Sequence, residues 1–256
     1  DGRVVASAVI GSRFNTFITH MRLDGHGNLI LLGRTPSGGV SRFGSLDVTP
    51  HSVTNFGVFL ARRAAHGDFA WHRSLPIKDH ALAVDGPSNI YLTTWTHAAD
   101  TIDGHELPVA RTHFLKFNPE GRVAWVASRT DIDPGPDRPP GFPYVPSMLV
   151  SDTVVDAADH PVFSGSFEKP VQFGTITLTN GGAFVVKLDQ HDGRFLWAKS
   201  LGYAQLLRGQ PIGVGALRPT LDGGLLLAGS AAVFETFPPG TYARPTIGPV
   251  TIQEGR

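Results

Sequence analysis

The sequence predicts an all-β chain assembled from a repeated unit of four short antiparallel strands. Three observations lead there. Apolar runs of about five to eight residues, rich in Val, Ile, Leu and Phe, are bounded by Gly, Asp, Asn and Pro. No window of comparable length carries a 3.6-residue apolar period, so helix content is expected to be minimal. One pattern also returns along the 256 residues at a spacing of several tens of positions, the range in which an internal repeat decides the fold.

Taken in order, residues 1–14 are expected to supply the fourth strand of a partial unit, because DGRVVASAVIGS (1–12) aligns with DGRFLWAKSLG (192–202). The first full unit, 18–75, contains NLILLGR (28–34), SRFGSLDVT (41–49), FGVFLARRA (56–64) and DFAWHRSL (68–75). The second, 80–129, is more divergent and contains NIYLTTWT (89–96), THFLKFN (112–118) and RVAWVASR (122–129). The third, 147–202, is the most legible, with HPVFSGSF (160–167), VQFGTITLT (171–179), GGAFVVKLD (181–189) and RFLWAKSLG (194–202). The last, 211–256, begins with GLLLAGSA (224–231) and continues to IGPVTI (247–252). Each first strand closes on MRLD (21–24), LAVD (82–85) or TVVD (153–156).

Anchors confirm the register. Asp24, Asp85, Asp156 and Thr220 are separated by 61, 71 and 64 residues, and Gly33, Thr94, Gly165 and Gly229 by the same steps. Trp71, Trp125 and Trp197 are separated by 54 and 72, and Arg62, Lys116 and Lys187 by 54 and 71. Insertions therefore fall in connections while the strands hold register. Repeated four-stranded antiparallel units are the pattern of a β-propeller, in which each blade buries its faces against its neighbours, whereas a sandwich has no reason to repeat. About four blades are represented. IGPVTI aligns with the FGTITL hairpin (173–178), so the chain is expected to stop before a third strand and to be part of a longer array. Self-association through the incomplete blade is the other route to covering an open edge.

The stretch SGSFEKPVQFGTITLTNGGAFVVKLDQHDGRFLWAKSLG (164–202) resembles the bacterial β-propeller repeats found in multiple copies in exported and surface proteins. Their pattern is a G-S-F strand, an F-G plus L-T hairpin, an F-V-A-K-L strand and a G-x-x-x-W strand. The resemblance implies a propeller and an exported location: periplasmic, cell-surface or extracellular. It implies no activity. The second unit departs most, with Thr94 for Gly, TIDGHELP (101–108) for the F-G pair, and His113 where the others have Phe59 and Phe184.

Composition excludes several classes. Lys+Arg 22 against Asp+Glu 22, interspersed from end to end, gives no basic stripe for nucleic acid. A 41% hydrophobic content supports a packed core rather than disorder. No run approaches the ~20 apolar residues of a membrane helix. With Cys 0, there are no disulfides, thiolate nucleophiles or cysteine metal sites.

Among individual residues, Trp71, Trp125 and Trp197 recur in every unit and are expected to fill the space between blades. Asp24, Asp85 and Asp156 suit turn capping, and Arg62, Lys116 and Lys187 suit stems packed along the blade. Trp95 stands where the other units have Arg34, Ser166 and Ser230, so it has both a structural and a binding reading. His113 reads as a buried imidazole or a catalytic group. The segment from His97 to Glu106, including His105, holds metal-type atoms but no zinc spacing. No G-x-S-x-G or phosphate loop occurs.

The long connection TDIDPGPDRPPGFPYVPS (130–147) exceeds what joining two blades requires, which points to recognition. Its Asp131, Asp133 and Asp137, with a Gly between, loosely match a calcium loop, which makes calcium the cofactor to expect if one is bound. The expected partner-binding face is the side of the 2→3 and 4→1 connections. It is centred on the second unit, with Trp95, His97, His105, His113, Phe142 and Tyr144 as its residues. The functional expectation is a non-catalytic binding or scaffolding module for a protein or glycan. The rival is a lyase or hydrolase with polar groups near the propeller axis.

Overall fold

The structure, a computed structural model, describes residues 10–12, 16–36, 41–43, 46–48, 56–75, 78–96, 99–108, 111–131, 148–179, 181–201, 213–220, 224–230 and 250–252. Every regular element among them is a strand, and all pairings are antiparallel. Three four-stranded sheets are simple meanders. Sheet one is Phe17–Leu23, Leu29–Pro36, Phe56–Arg63 and Phe69–Leu75. Sheet two is Lys78–Val84, Ile90–Trp95, Thr112–Phe117 and Val123–Ser128. Sheet three is Met148–Val155, Pro161–Phe167, Gly182–Leu188 and Phe195–Ser200.

Sheet four has three described strands, Gly213–Pro219, Leu225–Ser230 and Val250–Ile252. Here the sequence alignment is corrected. Thr251 pairs with Leu226 as Lys187 pairs with Val162 in sheet three, so Val250–Ile252 occupies the third-strand position rather than a hairpin before it. The cause is local: Val-Thr-Ile is a β-branched run as fit for a ladder as for a hairpin arm.

Register irregularities recur with the repeat. Each first strand skips one residue against its partner, at Thr19, His80, Ser151 and Gly215. Each described fourth strand skips the residue before its tryptophan, at Ala70, Ala124 and Leu196. A bulge adds local right-handed twist, so identical bulges give the sheets a common curvature.

The sheets pack face to face in chain order. Ile30, Leu32 and Leu60 of sheet one meet Leu82, Leu92 and Leu115 of sheet two in one apolar layer. Tyr91, Phe114 and Trp125 meet Phe163, Phe184 and Val186 of sheet three in the next, and Val162 and Val185 meet Leu217 and Leu225 in a third. The middle strands of sheets two and three are therefore buried on both faces, which explains why they read as continuous apolar runs rather than alternating ones. The first strands of consecutive sheets also touch one another, from sheet one to sheet four.

The connection from strand 2 to strand 3 carries a small hairpin in each of the first three sheets. These are Ser41–Phe43 with Leu46–Val48, Asp100–Ile102 with His105–Leu107, and Val171–Phe173 with Ile176–Leu178. In sheet three, Thr130–Asp131, which follows the fourth strand of sheet two, adds an edge to this hairpin. Ile10–Ser12 does the same for the hairpin of sheet one. Ile102 and Leu107 lie in the layer between sheets one and two, and Val171, Phe173 and Leu178 in the layer between sheets two and three. The inserts of sheets two and three are thus wedges between sheets, not free recognition loops.

Candidate functional site

The repeated residues join one sheet to the next. Trp71 Nε1 donates to the Pro119 carbonyl at 2.9 Å, and Arg62 Nη1 donates to the same oxygen at 2.9 Å. One sheet further on, Trp125 Nε1 and Lys116 Nζ donate to the Gln190 carbonyl at 3.1 and 2.8 Å. Pro119 and Gln190 sit in the turns between strands 3 and 4 of the following sheet. The turn glycines Gly121 and Gly193 lie flat under these rings, and a Cβ there would stand 3.0 Å from Trp71 and 2.6 Å from Trp125.

The aspartates cap their turns. Asp24 accepts from the His26 and Asn28 amides, Asp85 from that of Asn89, and Asp156 from those of Ala158 and His160. Burial alone would raise the Asp24 pKa, but hydrogen bonds from the Asn28 side chain and from the Asn28 and His26 amides outweigh it and hold the carboxyl at about 2. Arg62 pairs with Asp24 at 3.3 Å and Lys187 with Asp156 at 2.6 Å.

Against this background, sheet two carries residues that the repeat does not demand. His113 is fully buried; its Nδ1 lies 2.7 Å from Ser128 Oγ and its Nε2 3.1 Å from both the Pro108 carbonyl and Thr96 Oγ1. A carbonyl only accepts, so Nε2 carries the proton and Nδ1 accepts from the Ser128 hydroxyl. Desolvation pulls the imidazole pKa down from 6.5 to about 4, so it is neutral at pH 7. Beside it, Arg129 is fully buried, with Nε donating to Thr112 Oγ1 at 3.2 Å. Arg129 stands where the other sheets have Leu75 and Leu201. Composition of the strands held this signal, but the residue lies one position past the strand and was missed.

The sequence-predicted residues divide accordingly. Trp95 and His113 fall in this one cluster region but are 3% and 0% exposed, so both are interior groups. His105 is half-buried on the wedge hairpin. Asp131 lies in an extended strand paired to Val171. His97, Asp133, Asp137, Phe142 and Tyr144 lie outside the described residues. Among the described residues no three His, Asp or Glu side chains gather as a metal set.

Among the described residues, two solvent-facing polar places stand out. A shallow groove of about 670 Å³ runs between the outer edge of sheet one and the 3→4 turn of sheet two, lined by Trp71, His72, Arg73, Asp103, Glu120 and Arg122 among others. Arg73 and Asp103 close its floor with a two-point pair at 2.6 and 2.7 Å, and Asp103 also accepts the Val123 amide. The Arg73 guanidinium holds the Asp103 carboxyl below its ordinary range. The second place lies between the first strands, where Asp152 of sheet three accepts from Leu217 N and from Arg218 of sheet four at 2.9 and 3.0 Å. Arg22 of sheet one reaches the same carboxylate at 4.0 Å.

No protein-family model and no curated protein matches the chain. Among solved structures, a protein of unknown function from Bacteroides caccae is similar at 12% identity and a TM-score of 0.31. The match covers 67% of this chain and 66% of that one, so this chain spans just under two thirds of its length.

Proposed function

We propose that this chain is a β-propeller array of the exported bacterial repeat type and works as a non-catalytic module that binds or scaffolds a protein or glycan. One observation carries the reading: the repeated Trp and basic side chains of sheets one and two grip the turn of the next sheet. This chemistry holds blades together and leaves the rim for recognition. The groove between sheets one and two is the recognition site. Its ionic floor, aromatic wall and polar rim suit a hydroxyl-rich glycan. Glycan-array binding by the chain and by an Arg122→Ala, Glu120→Ala variant tests it. Binding that the variant loses while its melting temperature is unchanged supports the assignment; an array signal equal in both removes the groove as the site.

A second reading has its own observation. Asp152 is an unrepeated carboxylate on which Arg22 and Arg218, equivalent positions of sheets one and four, converge between first strands, the place an axial lyase or hydrolase would use. Cleavage of acidic polysaccharides that Asp152→Asn abolishes would favour it over the binding module.

A further inference from the structure

Arg73 and Asp103 form a pair with two hydrogen-bonding edges, and the described residues occupy only one of them. On that edge Arg73 Nη1 donates to the Gly121 carbonyl, and Asp103 Oδ2 accepts the Val123 amide at 2.7 Å. The bonds within the pair run from Nη1 to Oδ2 at 2.6 Å and from Nη2 to Oδ1 at 2.7 Å. The opposite edge therefore repeats the pattern, with one N–H of Nη2 beside one lone pair of Oδ1. Among the described residues nothing bonds that edge, and the Arg73 and Asp103 side chains, 25% and 29% exposed, both line the groove.

Packing of sheet on sheet does not call for this pair. At the equivalent place between sheets two and three stand Ala127 for Arg73, Gly174 for Asp103 and Phe195 for Val123. There the Phe195 ring packs in the apolar layer, 3.4 Å from where a Cβ on Gly174 would stand. One joint is filled by apolar groups, and the other keeps a charged floor under a groove. Arg73 and Arg122 balance Asp103 and Glu120, and burial lowers the His72 pKa, so the groove has no net charge at pH 7.

We infer that the open edge takes two adjacent hydroxyls of a neutral sugar ring, one accepting from Arg73 Nη2 and the other donating to Asp103 Oδ1. A hydroxyl both donates and accepts, so a vicinal diol meets this edge as Gly121 and Val123 meet the other. A uronate would accept from Nη2 but set its charge against Oδ1 with no proton between them. Trp71 supplies an apolar surface for the C–H side of the ring. The inference rests on the glycan reading of the groove and names the class of sugar it takes.

Saturation-transfer NMR on the unaltered chain tests it with the methyl glycosides of glucose, mannose and galactose, each beside its uronate, and with N-acetylalaninamide as a peptide-edge probe. The expected result is a neutral glycoside bound about tenfold more tightly than its uronate. In the monodeoxy series of that glycoside, loss of either of two adjacent hydroxyls weakens binding about tenfold, the effect of one hydrogen bond to a charged group. Arg73→Lys keeps a cation against Asp103 but lacks Nη2, and is expected to weaken the neutral glycoside about as much. If that variant does not fold, the deoxy series on the unaltered chain decides. A uronate bound as tightly as its neutral partner, losses spread over non-adjacent hydroxyls, or a folded Arg73→Lys variant of unchanged affinity overturns the diol and leaves the glycan reading of the groove standing. Binding of N-acetylalaninamide alone overturns both, in favour of a protein segment. Binding of no probe overturns the diol, and a blank glycan array then removes the glycan reading as well.

Discussion

Gly121 and Gly193 show how a single atom decides a sheet interface. Both have positive φ, at 79° and 73°, and both lie under a tryptophan of the preceding sheet. Gly193→Ala is expected to lower unfolding free energy by about 2–3 kcal/mol, from left-handed backbone strain plus displacement of Trp125. Gly104 also has positive φ, at 82°, but nothing stands within 4 Å of its would-be Cβ, so Gly104→Ala is expected to cost only about 1 kcal/mol. Urea titration of the two variants measures the difference, and equal losses would show that the ring contact contributes nothing. The G-x-x-x-W spacing was legible as a repeat, but its partners were not. Trp71 packs on Gly121 of the next sheet rather than on Gly67 of its own, a relation no spacing within one strand contains.

His113 makes a second prediction at this scale. Its folded pKa of about 4 lies below the ordinary 6.5, so between these values the unfolded chain takes up a proton that the folded chain refuses. Stability is full above pH 6.5 and falls as pH drops toward 4, by on the order of 3 kcal/mol. His113→Phe, which restores the residue of the other units, removes that slope. It also costs about 1–3 kcal/mol at pH 7 by depriving the Ser128 hydroxyl of its acceptor. Denaturant midpoints of both proteins between pH 4 and 7 check this; parallel profiles would contradict it. The substitution of His for Phe was plain in the sequence. Its burial partners were not, because Thr96, Ser128 and Pro108 come from three different segments.

At the scale of the element, the inserted hairpins are the part the sequence described correctly and placed differently. The F-G pair lost from TIDGHELP marked sheet two as divergent, yet the hairpin is intact because Asp103 and Gly104, with φ of 51° and 82°, form a two-residue turn of the type that suits twisted strands. Sheet three closes its hairpin with the other favoured two-residue turn, Gly174–Thr175, in which Gly174 alone is left-handed, at a φ of 60°. Two different turns satisfy the same twisted strands, so a motif search sees loss where the hairpin is kept. Antiparallel order does put these inserts on the 2→3 side, but packed sheets leave an apolar gap that a hairpin fills by folding back. Ile102 and Leu107 accordingly sit 4% and 0% exposed. Leu107→Ala is expected to cost about 2–5 kcal/mol, a core-sized loss from a residue on a three-residue strand. A change below 0.5 kcal/mol in thermal or urea unfolding would mean the hairpin does not wedge sheets one and two.

At the scale of the whole molecule, the all-β character and the antiparallel sheets were readable, because strand patterning is local, whereas the third strand of sheet four was not. How the sheets stand about one another was not, since that angle comes from bulges and from contacts between sheets far apart in the chain. The central claim is that successive sheets are related by one repeated rotation. Spin labels at the exposed 3→4 turns, on His66→Cys, Glu120→Cys and His191→Cys taken in pairs, test it most directly in a chain without native cysteine. The account predicts equal distances between sheets one and two and between sheets two and three, with the distance from one to three clearly shorter than their sum, as for sheets turning about one axis. A distance from one to three twice that of its neighbours would describe a flat stack and contradict the account.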